Sequence, residues 1–159
     1  MAILEKVDKL HHAVAWKGDI PITNRYTAGI AGERFFREIK DKARFLGTRC
    51  EACDLTYVPA TMFCERCFAE LEQWVEVPNR GWVFTYTVLH RDLDDNPLDP
   101  PAILAYVKLE GSDGGLVHYM GGIGPEDLCI GMEVEAVFKE AAEREGSILD
   151  IEYFQPVQE

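Results

Sequence analysis

The sequence lacks long apolar runs, and its second half has few basic residues. No uninterrupted apolar stretch approaches the roughly 18 residues of a membrane-spanning helix, so we expect a soluble protein without a membrane partner. The 159-residue chain has a formal charge of −12. Residues 1–72 hold 11 basic and 11 acidic side chains, whereas residues 73–159 hold 5 basic and 17 acidic ones. Because nucleic-acid-binding proteins gain much of their affinity by neutralising phosphates, we expect no nucleic-acid partner.

Catalytic motifs are also scarce. The sequence shows no nucleophile–base pair, no phosphate-binding loop and no open metal site. One cysteine, Cys129, lies outside the paired cysteines, and a free cysteine at an apolar position is commonly buried, so we expect it in the core. The four histidines form no motif with it; they are His11, His12, His90 and His118. We expect a chain without catalytic residues of its own, although a perturbed carboxylate in the acidic half stays open.

The N-terminal residues lack the apolar region and the cleavage site of a secretory signal. Glu5 and Lys6 introduce charge at once. We therefore expect a cytoplasmic protein, in which thiols stay reduced.

Four of the five cysteines form two pairs with the spacing of a metal site. Cys50 and Cys53 make one C-x-x-C turn, and Cys64 and Cys67 make a second one ten residues later. Four thiolates suit tetrahedral Zn²⁺, and such a closed site is structural because it has no open coordination position. Two disulfides are the competing interpretation, which the reducing compartment disfavours, and iron in the same four sulfurs is a second alternative.

An extended arm and an amphipathic helix precede the cysteines. We predict the arm over residues 1–32, either as a free tail or along a surface, and a helix over residues 33–46 with an apolar face at three- and four-residue steps. The opposite face carries Arg34, Arg37 and Lys40. These side chains indicate either an ordinary solvated face or a cationic patch for an anionic ligand.

The apolar period changes to two in the second half of the chain. Five segments rich in β-branched and aromatic residues alternate with glycine-rich turns; they span 82–89, 103–109, 116–120, 133–138 and 148–154. We predict a mainly β protein that has an N-terminal arm and helix, a rubredoxin-like zinc ribbon (with the helix, residues 33–75) and a five-stranded OB-fold barrel (residues 76–159). A small open sandwich is the alternative to the barrel. Zinc ribbons and OB-folds also bind nucleic acids, so a nucleic-acid-binding zinc-ribbon OB-fold protein is the alternative function, although the acidic second half opposes it.

Residues 26–157 resemble the zinc-ribbon/OB-fold proteins that are associated with acyl-CoA enzymes. The resemblance rests on Phe35-Phe36, on the run from Leu46 to Cys53 with the second C-x-x-C, and on the strands that begin at Gly81 and Pro101. It implies a non-catalytic subunit that forms a hetero-oligomer with a larger thiolase-like chain, on which the catalytic residues lie. Within that family the N-terminal stretch is most similar to the small subunits of benzoylsuccinyl-CoA thiolases, which act in aromatic degradation.

The resemblance also implies a nearby coenzyme A or acyl-CoA molecule at the subunit interface. Arginine and lysine bind phosphates through charge-assisted hydrogen bonds, so we predict that coenzyme A phosphates contact Arg34, Arg37, Lys40 and Arg49. Two departures from the family pattern bear on the ribbon. Val58-Pro59-Ala60-Thr61 replaces a Pro-Pro-Arg-like stretch, and Asp54 and Phe68 follow the second cysteine of each pair, where glycine is favoured.

Overall fold

A computed structural model describes residues 27–157 of the chain. Most of the predicted arm (residues 1–26) and the last two residues lie outside the described residues. Helix α1 spans Gly29–Lys42, and eight strands follow: β1 Phe45–Cys50, β2 Leu55–Tyr57, β3 Gln73–Val77, β4 Arg80–Arg91, β5 Pro97–Leu109, β6 Gly115–Tyr119, β7 Glu133–Phe138 and β8 Ile151–Pro156. Within the described range, no helix combines the length and the hydrophobicity that crossing a membrane requires.

Helix α1 lies about four residues closer to the N-terminus than the apolar pattern predicts. It buries Ala31, Phe35 and Ile39 against the rest of the protein. Ala43 adopts a left-handed conformation (φ 50°) and donates its N–H to the Ile39 carbonyl, which ends the helix. Leu46 was predicted on the helix because it continues the apolar spacing, but it lies in β1, where its burial comes from sheet packing.

Strands β1 to β3 form the small sheet of the zinc ribbon, with β1 in the centre. β1 pairs antiparallel with β2, where Cys50 lies opposite Leu55, and with β3, where Phe45 lies opposite Val77. Ladder hydrogen bonds on both sides of β1 therefore fix the position of the first cysteine pair.

The five remaining strands form an OB-fold barrel, which confirms the predicted fold class. Their order in the sheet is β6-β5-β4-β7-β8, and every neighbouring pair is antiparallel. A parallel bridge between Met120 and Phe154 joins the two ends of this order, with the Gly121 N–H 2.8 Å from the Phe154 carbonyl. The sheet thus curves back on itself, as a barrel does and an open sandwich does not.

Two predicted boundaries in the barrel are wrong. The first two barrel strands were predicted to end at residue 89 and to begin at residue 103, but β4 runs to Arg91 and β5 begins at Pro97, so that only five residues form the hairpin tip. Residues 148–150 were predicted as strand and form a 3₁₀ turn. Its Asp150 side chain accepts backbone N–H groups from residues 145–147, which favours the turn over an extended chain.

The helix, the ribbon and the barrel share one hydrophobic core. The Phe45 ring in β1 lies 6.2 Å from Phe35 in α1, 5.3 Å from Phe138 in β7 and 6.5 Å from Phe154 in β8, measured between ring centroids. Val58 of the ribbon, which follows β2, is 4% exposed and belongs to this core. The division of the chain at residues 32 and 75 stays a prediction.

Candidate metal centre and surrounding surface

The four paired cysteines converge on one point. Their Sγ atoms all lie within 4.8 Å of one another, and Cys50 Sγ is 3.6 Å from Cys67 Sγ. A disulfide has an S–S distance of about 2.05 Å, whereas sulfurs on a tetrahedral Zn²⁺ with Zn–S bonds of about 2.3 Å are separated by about 3.8 Å. All four cysteines are free, so the geometry favours a metal site over the disulfide alternative.

Two left-handed residues shape the turns that carry the sulfurs. Asp54 (φ 55°) and Phe68 (φ 58°) follow the second cysteine of each pair, at the two positions where the sequence predicted this conformation. The Phe68 N–H donates to the Cys64 carbonyl, and the Cys64 N–H donates to the Ala69 carbonyl, each over 2.9 Å. Phe68 therefore takes the conformation that the metal turn needs, although a side chain makes it unfavourable.

The donor set is consistent with a cation among the sulfurs. A hydrogen bond from the Tyr57 hydroxyl, 3.2 Å from Cys64 Sγ, lowers the pKa of the Cys64 thiol to about 6. The neighbouring Cys67 sulfur and burial raise the pKa of Cys53 to about 12, and burial raises the pKa of Cys50. Because further thiolates are unfavourable beside the first, a positive ion is needed to hold several together.

The role of the Tyr57 hydroxyl beside the cysteines was not predicted from the sequence. This tyrosine lies two residues after Leu55, the partner of Cys50 in the ladder, so the period of two in β2 places Leu55 and Tyr57 on one side of the strand. The alternation of side chains in β2 is therefore the sequence signal that could have predicted Tyr57 near the cysteines.

The metal centre is closed by its own turns. Cys50 and Cys64 are buried, and Leu71 and Tyr57 pack against them, whereas Cys67 is exposed. Four sulfur ligands complete a tetrahedral coordination sphere and leave no position for a substrate. The site can therefore stabilise the ribbon, but its arrangement offers no catalytic chemistry.

The four basic side chains predicted to contact coenzyme A are not gathered at one place. Arg37 and Lys40 lie on the wall of a cavity of about 510 Å³ beside Gly146, whereas Arg49 lines another cavity, beside the first cysteine turn. The Arg34 guanidinium lies 4.1 Å from the centre of the Trp74 ring, a cation–π distance.

Carboxylates already neutralise part of this basic surface. Arg37 forms an ion pair with Glu33, and Arg49 forms one with Asp54. The cavity beside Arg37 and Lys40 is also lined by Asp41 and Glu145. The Arg37–Glu33 pair is what an ordinary solvated helix face shows, and a bound phosphate would have to compete with both pairs.

Cys129 is exposed, so its prediction as a core residue was wrong. It lies in the loop before β7, where Leu128 takes the buried position and Ile130 is 68% exposed. The His118 ring is buried inside the barrel, with its Nε2 3.2 Å from the Ile148 carbonyl, and His90 is exposed near the far end of β4.

Family models match both halves of the described structure. Residues 37–72 match the model described as ChsH2, rubredoxin-like zinc ribbon domain. Residues 74–139 match the model described as ChsH2, C-terminal OB-fold domain. The two matched ranges follow each other in the chain as the ribbon and the barrel do.

Relatives and solved structures carry the same name, DUF35. A DUF35 domain-containing scaffold protein of Methanocaldococcus jannaschii is 32% identical over 111 residues, which cover 69% of this chain and 78% of the relative. One of Pyrococcus furiosus is 29% identical over 126 residues, covering 78% and 91%.

Two solved structures have a similar fold. A DUF35-family protein of Sulfolobus solfataricus has a TM-score of 0.64 at 26% identity, with 81% of this chain and 87% of that chain covered. A chain described as an Ltp2-ChsH2(DUF35) aldolase has a TM-score of 0.61 at 27% identity, with 83% of this chain and 98% of that chain covered.

Proposed function

This chain belongs to the DUF35 family, and from that premise we propose that it is the non-catalytic subunit of a thiolase-type acyl-CoA enzyme complex. Two of its relatives are described as scaffold proteins, and one similar solved structure is described as an Ltp2-ChsH2(DUF35) aldolase. Thiolysis and aldol cleavage both break a C–C bond next to a carbonyl group. The similarity to this aldolase chain therefore supports a scaffold role beside an enzyme that performs this general class of reaction.

The proposal rests on one observation. All four cysteines of the zinc ribbon lie together in one closed metal site, so none of them is available as a nucleophile. Thiolytic cleavage needs a thiolate nucleophile with an activating base. Cys129 is the only cysteine outside the ribbon, and the buried His118 ring is engaged with the Ile148 carbonyl rather than with a thiol. We therefore assign the nucleophile and the base to a larger partner chain.

We assign one structural Zn²⁺ to Cys50, Cys53, Cys64 and Cys67. The four sulfurs have the spacing that a tetrahedral ion needs, and the ribbon is too small to fold on a core of its own. Its cluster of buried side chains consists of Cys50, Cys64 and Leu71. Metal binding would supply folding free energy on the order of 10 kcal/mol, as in other structural zinc sites.

Assembly and activity test the proposed function. A tagged chain isolated from its source cells should carry a thiolase-like subunit in near-stoichiometric amount, which mass spectrometry would identify, with one zinc per chain and no excess absorbance at 260 nm. The thiolase-like subunit alone should lose activity that returns when this chain is added. A chain that purifies alone or with nucleic acid would contradict the proposal.

Replacement of Cys129 separates a scaffold from a catalytic subunit. The variant Cys129→Ser should assemble normally and keep thiolysis within tenfold of the wild type, because the nucleophile lies on the partner. Loss of a thiolate nucleophile costs far more than this, typically several orders of magnitude. A larger loss with normal assembly would place catalysis on this chain.

A finer proposal concerns contact with coenzyme A. Replacing Arg34, Arg37 and Lys40 together by Gln should raise the KM for coenzyme A several-fold if these residues hold its phosphates, because each charge-assisted contact is lost. Lys42, Arg66 and Lys139 replaced by Gln provide a control with the same change in net charge. An unchanged KM and unchanged assembly would contradict the contact.

We further propose benzoylsuccinyl-CoA as the substrate of the complex, a choice that rests on the N-terminal resemblance alone. The assembled complex should cleave benzoylsuccinyl-CoA with a kcat/KM at least tenfold above that for acetoacetyl-CoA. Equal values, or a preference for the aliphatic thioester, would contradict this substrate.

A further inference from the structure

An apolar face lies on the outside of the barrel, across three neighbouring strands. This aromatic face consists of Phe84 in β4, Leu104 and Tyr106 in β5, and Val117 and Tyr119 in β6. Phe84 is 56%, Val117 58% and Tyr119 48% exposed. An exposed apolar patch of this kind marks an interaction site more often than scattered single residues do.

The strand register makes these five side chains one continuous surface. Tyr106 lies directly opposite Val117, and Leu104 lies directly opposite Tyr119, so each pair shares one side of the sheet. The inward positions of the same strands, Ala105 and Val107, belong to the core. The alternation therefore places the aromatic face on the outer side of the barrel wall.

A β-bulge adds Phe84 to this surface. Val83 pairs with Val107 and Thr85 pairs with Tyr106, so Phe84 is the extra residue between them. Its ring packs edge-on against Tyr106, with 5.8 Å between ring centroids. A bulge redirects a side chain at the cost of regular pairing, and here it turns a large aromatic ring towards solvent.

The ends of the aromatic face are acidic. Glu110 and Asp113 lie at the β5–β6 turn beside one end and outnumber Lys108, which lies on the outer side of β5 with its Nζ 6.0 Å from the centre of the Trp82 ring. Several residues beyond the other end, the β4–β5 hairpin tip carries Asp92, Asp94 and Asp95, with Asp99 in β5. One basic residue, Arg91, lies there and forms an ion pair with Asp95, so this end keeps a net negative charge. The barrel half of the chain as a whole has 17 acidic and 5 basic side chains. An apolar surface with acidic margins attracts a partner surface that is apolar in the centre and basic at its edge.

These charges decide between the candidate occupants. A second copy would bring two acidic margins together, and a nucleic acid would bring phosphates against them, so both are repelled. Resting on the proposed function, we propose that the aromatic face docks the thiolase-like subunit, through an apolar surface of that subunit bordered by Lys and Arg. This role is distinct from the metal centre, which holds the ribbon together.

The double variant Phe84→Thr/Val117→Thr tests the proposal. Threonine keeps the β-strand preference, so the fold should survive, and unchanged circular dichroism would verify this. The Kd for the purified thiolase-like subunit, taken from the wild-type complex, should rise at least tenfold. The control Ile30→Thr/Leu149→Thr removes two apolar side chains outside the face that are at least as exposed (73% and 60%) and should leave the Kd within threefold.

The charge of the margins is tested separately. The variant Asp94→Asn/Asp99→Asn should slow association with the thiolase-like subunit and weaken its dependence on salt, because steering by opposite charge is reduced. Equal affinity of the Phe84/Val117 variant and the wild type would overturn the docking face while leaving the proposed function standing. Failure of the wild type to bind any thiolase-like subunit would overturn both. Wild-type dimers that the Phe84/Val117 variant abolishes would identify a second copy as the occupant and overturn the proposal.

Discussion

At the scale of single residues, Phe68 keeps a conformation that its side chain disfavours. A left-handed backbone costs an L-residue with a side chain about 1–2 kcal/mol, and glycine avoids this cost. Phe68 is also 79% exposed, so its ring contributes little to the packing of this chain. Phe68→Gly should therefore stabilise the zinc-loaded ribbon by about 0.5–1 kcal/mol, measured as tighter zinc binding in competition with a chromogenic chelator.

Phe63 provides the matched control for this prediction. It is an exposed phenylalanine of the same ribbon (58%), and it is not among the residues with positive φ. Phe63→Gly should weaken zinc binding because glycine only adds freedom to the unfolded chain. If both substitutions weaken it equally, the strain assigned to Phe68 is wrong.

Residue identity predicted backbone conformation better than it predicted burial. The requirement for left-handed residues after each cysteine pair follows from turn geometry, and it held at Asp54 and Phe68. The exposure of Cys129 was missed because an apolar tripeptide offers three candidates for one buried position. In the structure Leu128 takes the buried position. Its carbonyl accepts a hydrogen bond of 3.1 Å from the hydroxyl of Tyr86, which lies 42 residues earlier in the chain.

At the scale of elements, the ribbon should respond to metal removal as a unit. A thiol reagent should modify about one cysteine in the zinc-loaded protein, the exposed Cys129, because a metal-bound thiolate is protected. After chelation it should modify all five cysteines of the chain. Thiol titration with and without chelator measures this, with Cys129→Ser as the control that removes the single fast thiol. Five fast thiols before chelation would contradict the metal site.

The elements also show where a sequence pattern reaches its limit. Periods of two and of three to four predicted the helix, the ribbon and five barrel strands, but the ends of α1 and β5 were wrong. The helix ends where Arg144, about a hundred residues later, donates to the Ile39 carbonyl over 2.9 Å. β5 begins among prolines because the Asp92 carboxylate organises the hairpin tip by accepting the N–H groups of Asp94 and Asn96. Such distant or side-chain contacts leave no period in the sequence.

At the scale of the whole molecule, the ribbon and the barrel are coupled through a reciprocal contact. The Asp113 N–H donates to the Thr56 carbonyl, and the Thr56 N–H donates to the Asp113 carboxylate, both over 2.9 Å. This contact joins β2 of the ribbon to the β5–β6 turn next to the aromatic face. The metal centre thereby positions one margin of the proposed docking surface, although it does not form the surface itself.

The pH dependence of stability follows from a group inside the barrel. Burial lowers the pKa of His118 below its ordinary value of 6.5, because the charged ring would be desolvated. Within residues 27–157 its Nδ1 atom has no hydrogen-bond partner. Below pH 6.5 the unfolded chain therefore binds a proton that the folded chain does not. Stability falls by up to about 1.4 kcal/mol per pH unit until the lower, folded pKa is reached, and this contribution is complete above pH 6.5.

Comparison with His118→Gln isolates this contribution from the other titrating groups. The pKa of Asp150 is also lowered, because the opposing effect of burial is outweighed by the backbone N–H groups that donate to its carboxylate. The stability that Asp150 contributes is therefore lost only as the pH falls below 3.8, the ordinary pKa of this carboxyl group. Urea unfolding of both proteins from pH 7.5 to 5.0, at one saturating zinc concentration so that any loss of zinc is common to both, should show the wild type losing stability relative to the variant below pH 6.5. Parallel curves would mean that the His118 ring becomes charged in the folded barrel as readily as in the unfolded chain.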